Sequence, residues 1–208
     1  MTKAILSGAA IVALLCAVSA QEVRPTCTRC PSTYVPAEEL QAYITRAIAN
    51  NLVDQQVRAV DIGKSNVGVA VVHRGKLAGP GARSVAEHDQ VSEVYHVIDG
   101  TGTLVTGPDL VDMRRRPADN EAVKMLNGPG NDAVSIQNGV THELKPGDVV
   151  VIPAGTGHWF TKIDDHITYL MIRIDPDKVV PLKDEAASRT DLRDNPGGNG
   201  RGRGRGNP

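Results

Sequence analysis

The sequence predicts an all-β domain, a sandwich or barrel, with one N-terminal α-helix. Three observations carry this. Short Val/Ile/Thr-rich runs recur between Val57 and Ile174, separated by Gly, Pro, Asn and Asp. Gly and Pro are abundant, 21 and 13 of 208 residues, which favours a turn-rich chain over a helical bundle. Only one segment, Ala37–Asn50, carries apolar residues at a clear helical spacing. The composition, 40% hydrophobic and 23% charged, fits a folded globular domain and excludes a disordered or fibrous polymer.

Residues 1–20 read as a signal peptide. Lys3 precedes an apolar run from Ala4 to Val18, broken only by Ser7 and Gly8, and the small residues Ser19 and Ala20 supply a cleavage site before Gln21. Leu15, ahead of Cys16, is not small, which argues against a lipid anchor on that cysteine. The expectation is an exported protein, periplasmic or secreted, with no membrane span after cleavage near Ala20. Cys27 and Cys30 then remain where a disulfide can persist, and their two-residue spacing in a Pro-flanked leader fits a local disulfide better than a redox pair.

Residues 21–56 form a leader followed by the helix, in which Leu40, Tyr43, Ile44, Ala47 and Ile48 make one apolar stripe, with Glu38 and Glu39 in the first turn after Pro36. Residues 57–180 hold the β domain. Strands are expected at Val57–Ile62, Val67–His73, Glu93–Ile98, Gly102–Val105, Ala133–Ile136, Val149–Ile152, Trp159–Lys162 and Ile167–Ile174, with the polar stretch Gly107–Asp132 as an insertion. Residues 181–208 are a C-terminal extension ending in a disordered Gly/Arg tail. Formal net charge is −1, and the tail's Arg201, Arg203 and Arg205 leave the body more acidic still. Nucleic acid is therefore a poor partner, since a few tail arginines supply little affinity.

Two segments carry the chemistry. One runs from His88 through Glu93 to Gly100 and Gly102, the other from Gly147 through Pro153 and Gly155 to His158. Side chains alternate along a strand, so Glu93, Tyr95 and Val97 share one face and His158 and Phe160 another. Both segments place polar side chains of metal-ligand type at strand spacing near Gly-marked turns, where a stiff scaffold can hold a ligand.

The second segment satisfies every position of a known pattern: Gly147, five residues, Pro153, one residue, Gly155, two residues, His158. In the first, His88, Glu93 and Gly100 match a pattern of two His separated by one residue, then Glu, then Gly. Ala86 stands where the first His belongs, and Lys162 where an Asn sometimes follows the last His. Over about Val57–Ile174 the chain resembles the cupins, small exported single-domain members with the type-2 motif included. The resemblance implies a cupin double-stranded β-helix, or jelly-roll barrel, and, on the matched positions, one divalent transition metal ion (Fe, Mn, Ni, Cu or Zn) held by His88, Glu93 and His158, two imidazoles and a carboxylate that leave coordination positions open.

With one His absent, Gln90 and Asp89 are candidates to reach the metal. Tyr95 is placed to orient a metal-bound water or act as a weak acid alongside Glu93, or else packs in the core. Val97 and Phe160 would line the pocket. His73, His96, His142 and His166 lie outside the motif and read as surface or interface imidazoles. Arg114, Arg115 and Arg116 either clamp an anionic substrate or are solvated. The expected function is a mononuclear metalloenzyme, oxygenase-like or using other Lewis-acid chemistry, on a small organic molecule. A non-enzymatic cupin that binds or senses a small ligand is the alternative. Jelly-roll edges need cover, which makes a homodimer a further expectation.

Overall fold

The computed structural model describes residues 23–198. The expected signal peptide and the Gly200–Gly206 repeat lie outside the described residues. The chain runs α1 (Ala37–Asn50), β1 (Asp54–Asp61), β2 (Asn66–Arg74), β3 (Val85–His88), β4 (Ser92–Gly100), β5 (Gly102–Gly107), β6 (Asp109–Val111) and β7 (Arg114–Arg115). A π-helical turn (Val123–Asn127) follows, then β8 (Gly130–Ala133), β9 (Ser135–Gln137), β10 (Val140–Leu144), β11 (Val149–Ile152), β12 (Gly157–Lys162), β13 (Ile167–Asp175) and α2 (Glu185–Asp194).

The strands form two main sheets, ordered β1-β2-β13-β4-β11 and β10-β5-β12-β3-β8-β7, with β6 and β9 as a separate pair. β13 inserts between β2 and β4, so the late strand closes the early ones into the expected double-sheet arrangement. Alternation explains the core. Ile167, Tyr169 and Met171 of β13 turn inward, as do Tyr95 and Val97 of β4, to meet Leu104 and Phe160 from the other sheet.

The helix α1 spans the expected residues. Its Tyr43 packs on Val57 and Val71, which point outward from β1 and β2, while Ala70 and Val72 point into the barrel. These two strands are thus buried on both faces, and complete burial of Val57 and Val71 is worth roughly 1.5–3 kcal/mol each. Asn51 ends the helix in a left-handed conformation (φ 50°), its N–H donating to the Ala47 carbonyl.

The C-terminal extension holds a helix that the sequence pattern does not announce. Ser188 is the only buried residue of α2, so there is no apolar stripe to find. Of its apolar side chains, Leu192 alone packs on the cluster of Tyr43, Val57 and Val71, and polar contacts do the rest of the docking. Ser188 Oγ donates to Glu39 Oε1 at 2.6 Å, Glu39 grips buried Arg58 through both oxygens (2.6 and 2.7 Å), and Asp191 pairs with Lys183 at 2.7 Å.

The stretch Gly107–Asp132 is only partly an insertion. It contributes β6, β7 and most of β8, and β8 pairs with β3 inside the six-stranded sheet. The expected strand Ala133–Ile136 is divided at Val134 between β8 and β9, while β3 and β10 were not expected as strands. Cys27 and Cys30 are joined by a disulfide. Among the described residues no helix is long and apolar enough to cross a membrane.

Candidate metal centre

Three strands deliver three buried side chains to one point. His88 ends β3, Glu93 lies near the start of β4, and His158 lies near the start of β12. They are 3%, 2% and 8% exposed, and one ligand atom from each lies within 4.8 Å of the others. The Nε2 of His88 is 3.5 Å from Glu93 Oε1, and the Nε2 of His158 is 3.5 Å from Glu93 Oε2. The two rings are 5.1 Å apart, centre to centre.

The turn Pro153–Thr156 sets the approach of β12 to β3. Gly155 adopts a left-handed conformation (φ 79°), and its N–H donates to the His88 carbonyl at 2.8 Å. The adjacent Ala154 N–H donates to Ser92 Oγ at 3.0 Å. The motif glycine and proline thus hold one histidine strand on the end of the other.

Glu93 is fixed from below. Arg173 lies opposite it in the β4–β13 ladder, with its Nε 3.5 Å from Glu93 Oε1, and is itself held by Asp54 and by Gln56 Oε1 at 2.6 Å. The Tyr95 hydroxyl donates to Glu93 Oε2 at 2.8 Å. Burial raises the carboxyl's pKa, but His88, His158, Arg173 and Tyr95 outweigh it and hold Glu93 at about 2. Burial drives His88 well below the usual imidazole value, against the pull of Glu93, and lowers His158 in the same way. At neutral pH the set is therefore one carboxylate and two neutral imidazoles. Arg173 and Tyr95 are then the groups that continue to hold Glu93 ionised.

The two imidazoles differ in what faces their far nitrogen. His158 Nδ1 is 3.3 Å from the Thr156 carbonyl, an acceptor that places the proton on Nδ1 and frees Nε2 as a lone pair. His88 Nδ1 is 3.2 Å from Arg116 Nη1, and a guanidinium can only donate. That contact puts the ring proton on Nε2, facing Glu93. Arg116 is itself anchored by Asp132 Oδ1 at 2.8 Å and the Asn131 carbonyl at 2.9 Å.

The remaining candidates are distributed as follows. Tyr95 is buried, its pKa raised well above the phenol value by burial and by Glu93, and it commits its proton to that carboxylate. Val97 and Phe160 sit in the barrel core, where Phe160 stacks on Tyr169 at 5.9 Å. Asp89 and Gln90 are engaged elsewhere, Asp89 with Arg115 at 2.6 Å and Gln90 with Asp177 at 3.1 Å. Of the three arginines, Arg114 and Arg115 are exposed, and Arg116 is neither solvated nor at a pocket mouth, being buried against His88. His73, His142 and His166 bond to Thr168, Thr106, and Asp99 with Asp165, away from the centre, and His96 is exposed.

Arg173 and Asn127 are the members the sequence reading missed. Arg173 had a signal: it continues the inward phase of Ile167, Tyr169 and Met171. Asn127 had none. It ends the π-helical turn, with its Nδ2 3.5 Å from His88 Nε2 and its Oδ1 fully buried without a partner. Among the described residues, cavities of about 350 and 580 Å³ lie elsewhere, and neither is lined by His88, Glu93 or His158. The first runs between α1, α2 and the π-helical turn, past Asp54 and Lys183; the second lies beside His73 and His166.

A family model described as Cupin matches residues 55–190, well over half the chain. No curated protein matches. Among solved structures, a Bacillus halodurans protein is 15% identical, covering 77% of this chain and 96% of its own, with a TM-score of 0.40. A cupin protein from Bacteroides fragilis is 19% identical over 54% of this chain and 68% of its own (TM-score 0.33). A Cupin 2 conserved barrel domain protein from Salinispora arenicola is 16% identical over 69% and 86% (TM-score 0.32). The match to the family model runs through both motifs and most of the double sheet. The chain belongs to the cupin family.

Proposed function

We propose that this cupin is a mononuclear metalloprotein, with His88, Glu93 and His158 as ligands of one divalent transition metal ion, and that it acts as an enzyme on a small organic molecule. The observation that carries the proposal is the convergence of both Nε2 atoms on the two oxygens of one buried, ionised carboxylate. The donor chemistry fits: two imidazoles and a carboxylate suit Fe, Mn, Ni, Cu or Zn, and the Thr156 carbonyl gives His158 the tautomer a ligand needs. Such an ion supplies Lewis-acid polarisation or, as Fe(II), a place for dioxygen, which makes oxygenase-like chemistry the favoured subclass. Arg173 and Tyr95 keep Glu93 ionised and aimed, and the apolar core formed by Val97 and Phe160 keeps bulk water from beneath the centre.

A non-enzymatic binding or sensing cupin is the second reading, and Arg116 favours it. Its donation to His88 Nδ1 leaves that ring in the tautomer that pairs with Glu93 without an ion. Export is also proposed. The N-terminal pattern supports it, as does the Cys27–Cys30 disulfide, which persists in oxidising compartments.

Elemental analysis of protein purified without chelators or tag-borne metal tests the main reading. Near one transition metal per chain, lost in Glu93→Ala and His158→Ala with the fold retained, supports it. No native metal, and no uptake of Fe(II), Mn, Ni, Cu or Zn, refutes it and leaves the binding cupin.

A further inference from the structure

We propose that Asn127 is a fourth protein ligand of the metal centre, its side-chain amide oxygen occupying the coordination position that Ala86 leaves open. The inference rests on the metal-binding reading above and adds to it a residue from outside both motifs.

The vacancy comes from β3. Ala86 shares a strand face with His88 and pairs directly with His158 across the β3–β12 ladder, yet presents only a methyl group. Asp89 and Gln90, the near neighbours in sequence, are held by Arg115 and Asp177. The side chain that does come close is Asn127. Its amide is 3.5 Å from His88 Nε2, the same separation that His88 and His158 each keep from Glu93. Adjacent ligands at about 2.1 Å from a tetrahedral ion stand about 3.4 Å apart, so each of the three contacts has the length expected between two ligands of one ion, His88 and His158 reaching different oxygens of Glu93.

Hydrogen bonding says which end of the amide belongs at the centre. Arg116 places a proton on His88 Nε2, so Asn127 Nδ2 turned to that atom sets donor against donor. Meanwhile Oδ1 is buried with no partner. A half-turn of the amide exchanges the two atoms at no change in shape. With Oδ1 toward the centre, it shares the Nε2–H of His88 with Glu93 when no ion is bound; an ion displaces that proton to solvent and would take lone pairs from both Nε2 and Oδ1.

The segment that presents Asn127 is built to do so. Asn120 Oδ1 caps the turn by accepting from the N–H groups of Ala122 and Val123, at 2.9 and 3.3 Å. Val123 and Leu126 anchor its buried side. Gly128 follows with φ 64°, and a side chain there would meet Val179 Cγ2 at 2.5 Å, so the chain turns away from the centre directly after Asn127. Short π-helical turns of this kind recur where one side chain must be re-aimed at a site.

The test uses the full-length protein, stripped of metal and titrated with Co(II) against a competing chromophoric chelator. It compares wild type with the isosteric Asn127→Leu and with Asn127→Asp. Asn127→Leu is expected to weaken Co(II) at least tenfold and to alter the Co(II) d–d absorption band, while Asn127→Asp keeps or tightens affinity. Wild-type affinity and an unchanged band in Asn127→Leu overturn the proposal, even if that variant's metal-free melting temperature falls, because a purely structural asparagine would give that pattern. Should Asn127→Leu fail to fold by circular dichroism, Asn127→Asp decides. A shifted band supports ligation, and an unchanged band overturns it. His88→Ala and the wild type separate the two levels: loss of Co(II) in His88→Ala with none in Asn127→Leu sinks Asn127 alone. Failure of the wild type to take up Co(II) or any other of the five metals sinks the metal reading and this one with it.

Discussion

The two imidazoles flanking Glu93 are chemically identical and equally distant from it, yet they sit in opposite surroundings. His158 donates from Nδ1 to a backbone carbonyl supplied by the motif turn. His88 receives a proton donor, Arg116, from a segment outside either motif, and has Asn127 from the same segment at its other nitrogen. The motif spacing thus secures one half of the centre by local backbone geometry. The other half depends on what the Gly107–Asp132 stretch brings to it.

The largest expected effect removes what both halves share. Glu93→Gln keeps the volume but withdraws the charge between two imidazoles and Arg173, so metal uptake measured by elemental analysis should fall to background. Breaking the buried pair from the other side, Arg173→Met leaves Glu93 and Asp54 without their cation and should cost about 3–5 kcal/mol in urea unfolding. Equal metal content in Glu93→Gln and wild type would remove the centre altogether.

Arg116→Gln tests the asymmetry directly. A glutamine oxygen can accept from His88 Nδ1–H where the guanidinium cannot, so His88 would gain the tautomer His158 already has. Metal affinity should rise by about tenfold, read by chelator competition. A fall in affinity would show that Arg116 supports the loaded site.

Acid should act on both rings together. Each has its pKa lowered by burial from 6.5, so the unfolded state binds the proton more readily. The stability this contributes is present above about pH 6.5 and is lost as pH falls below it toward the folded values. Urea midpoints of the metal-free protein should decline below pH 6.5, less so in a His88→Gln, His158→Gln double variant. An identical decline in that variant would assign it to other groups. The smallest effect is expected from Gly155→Ala. A methyl there meets nothing within 4 Å, so the cost is the left-handed backbone alone, about 1–2 kcal/mol, together with a modest loss of metal affinity as the Thr156 carbonyl shifts.

Sequence by itself determined the all-β class, α1 to the residue, the inward phase of Glu93, Tyr95 and Val97, and the meeting of His88, Glu93 and His158. The first three follow from local rules, a strand period of two and a helical stripe, and the last from the resemblance to the two cupin motifs, with glycine and proline at fixed offsets from a histidine. Only the tertiary structure decided the rest. The helix α2 has no apolar stripe to betray it, and its Ser188 docks on Glu39, 149 residues away and itself held by Arg58. Arg116 and Asn127 reach His88 from 28 and 39 residues away. Such contacts leave no period in the sequence, because a polar side chain finds its partner through the path of the whole chain, whereas an apolar one is selected by the face on which it lies.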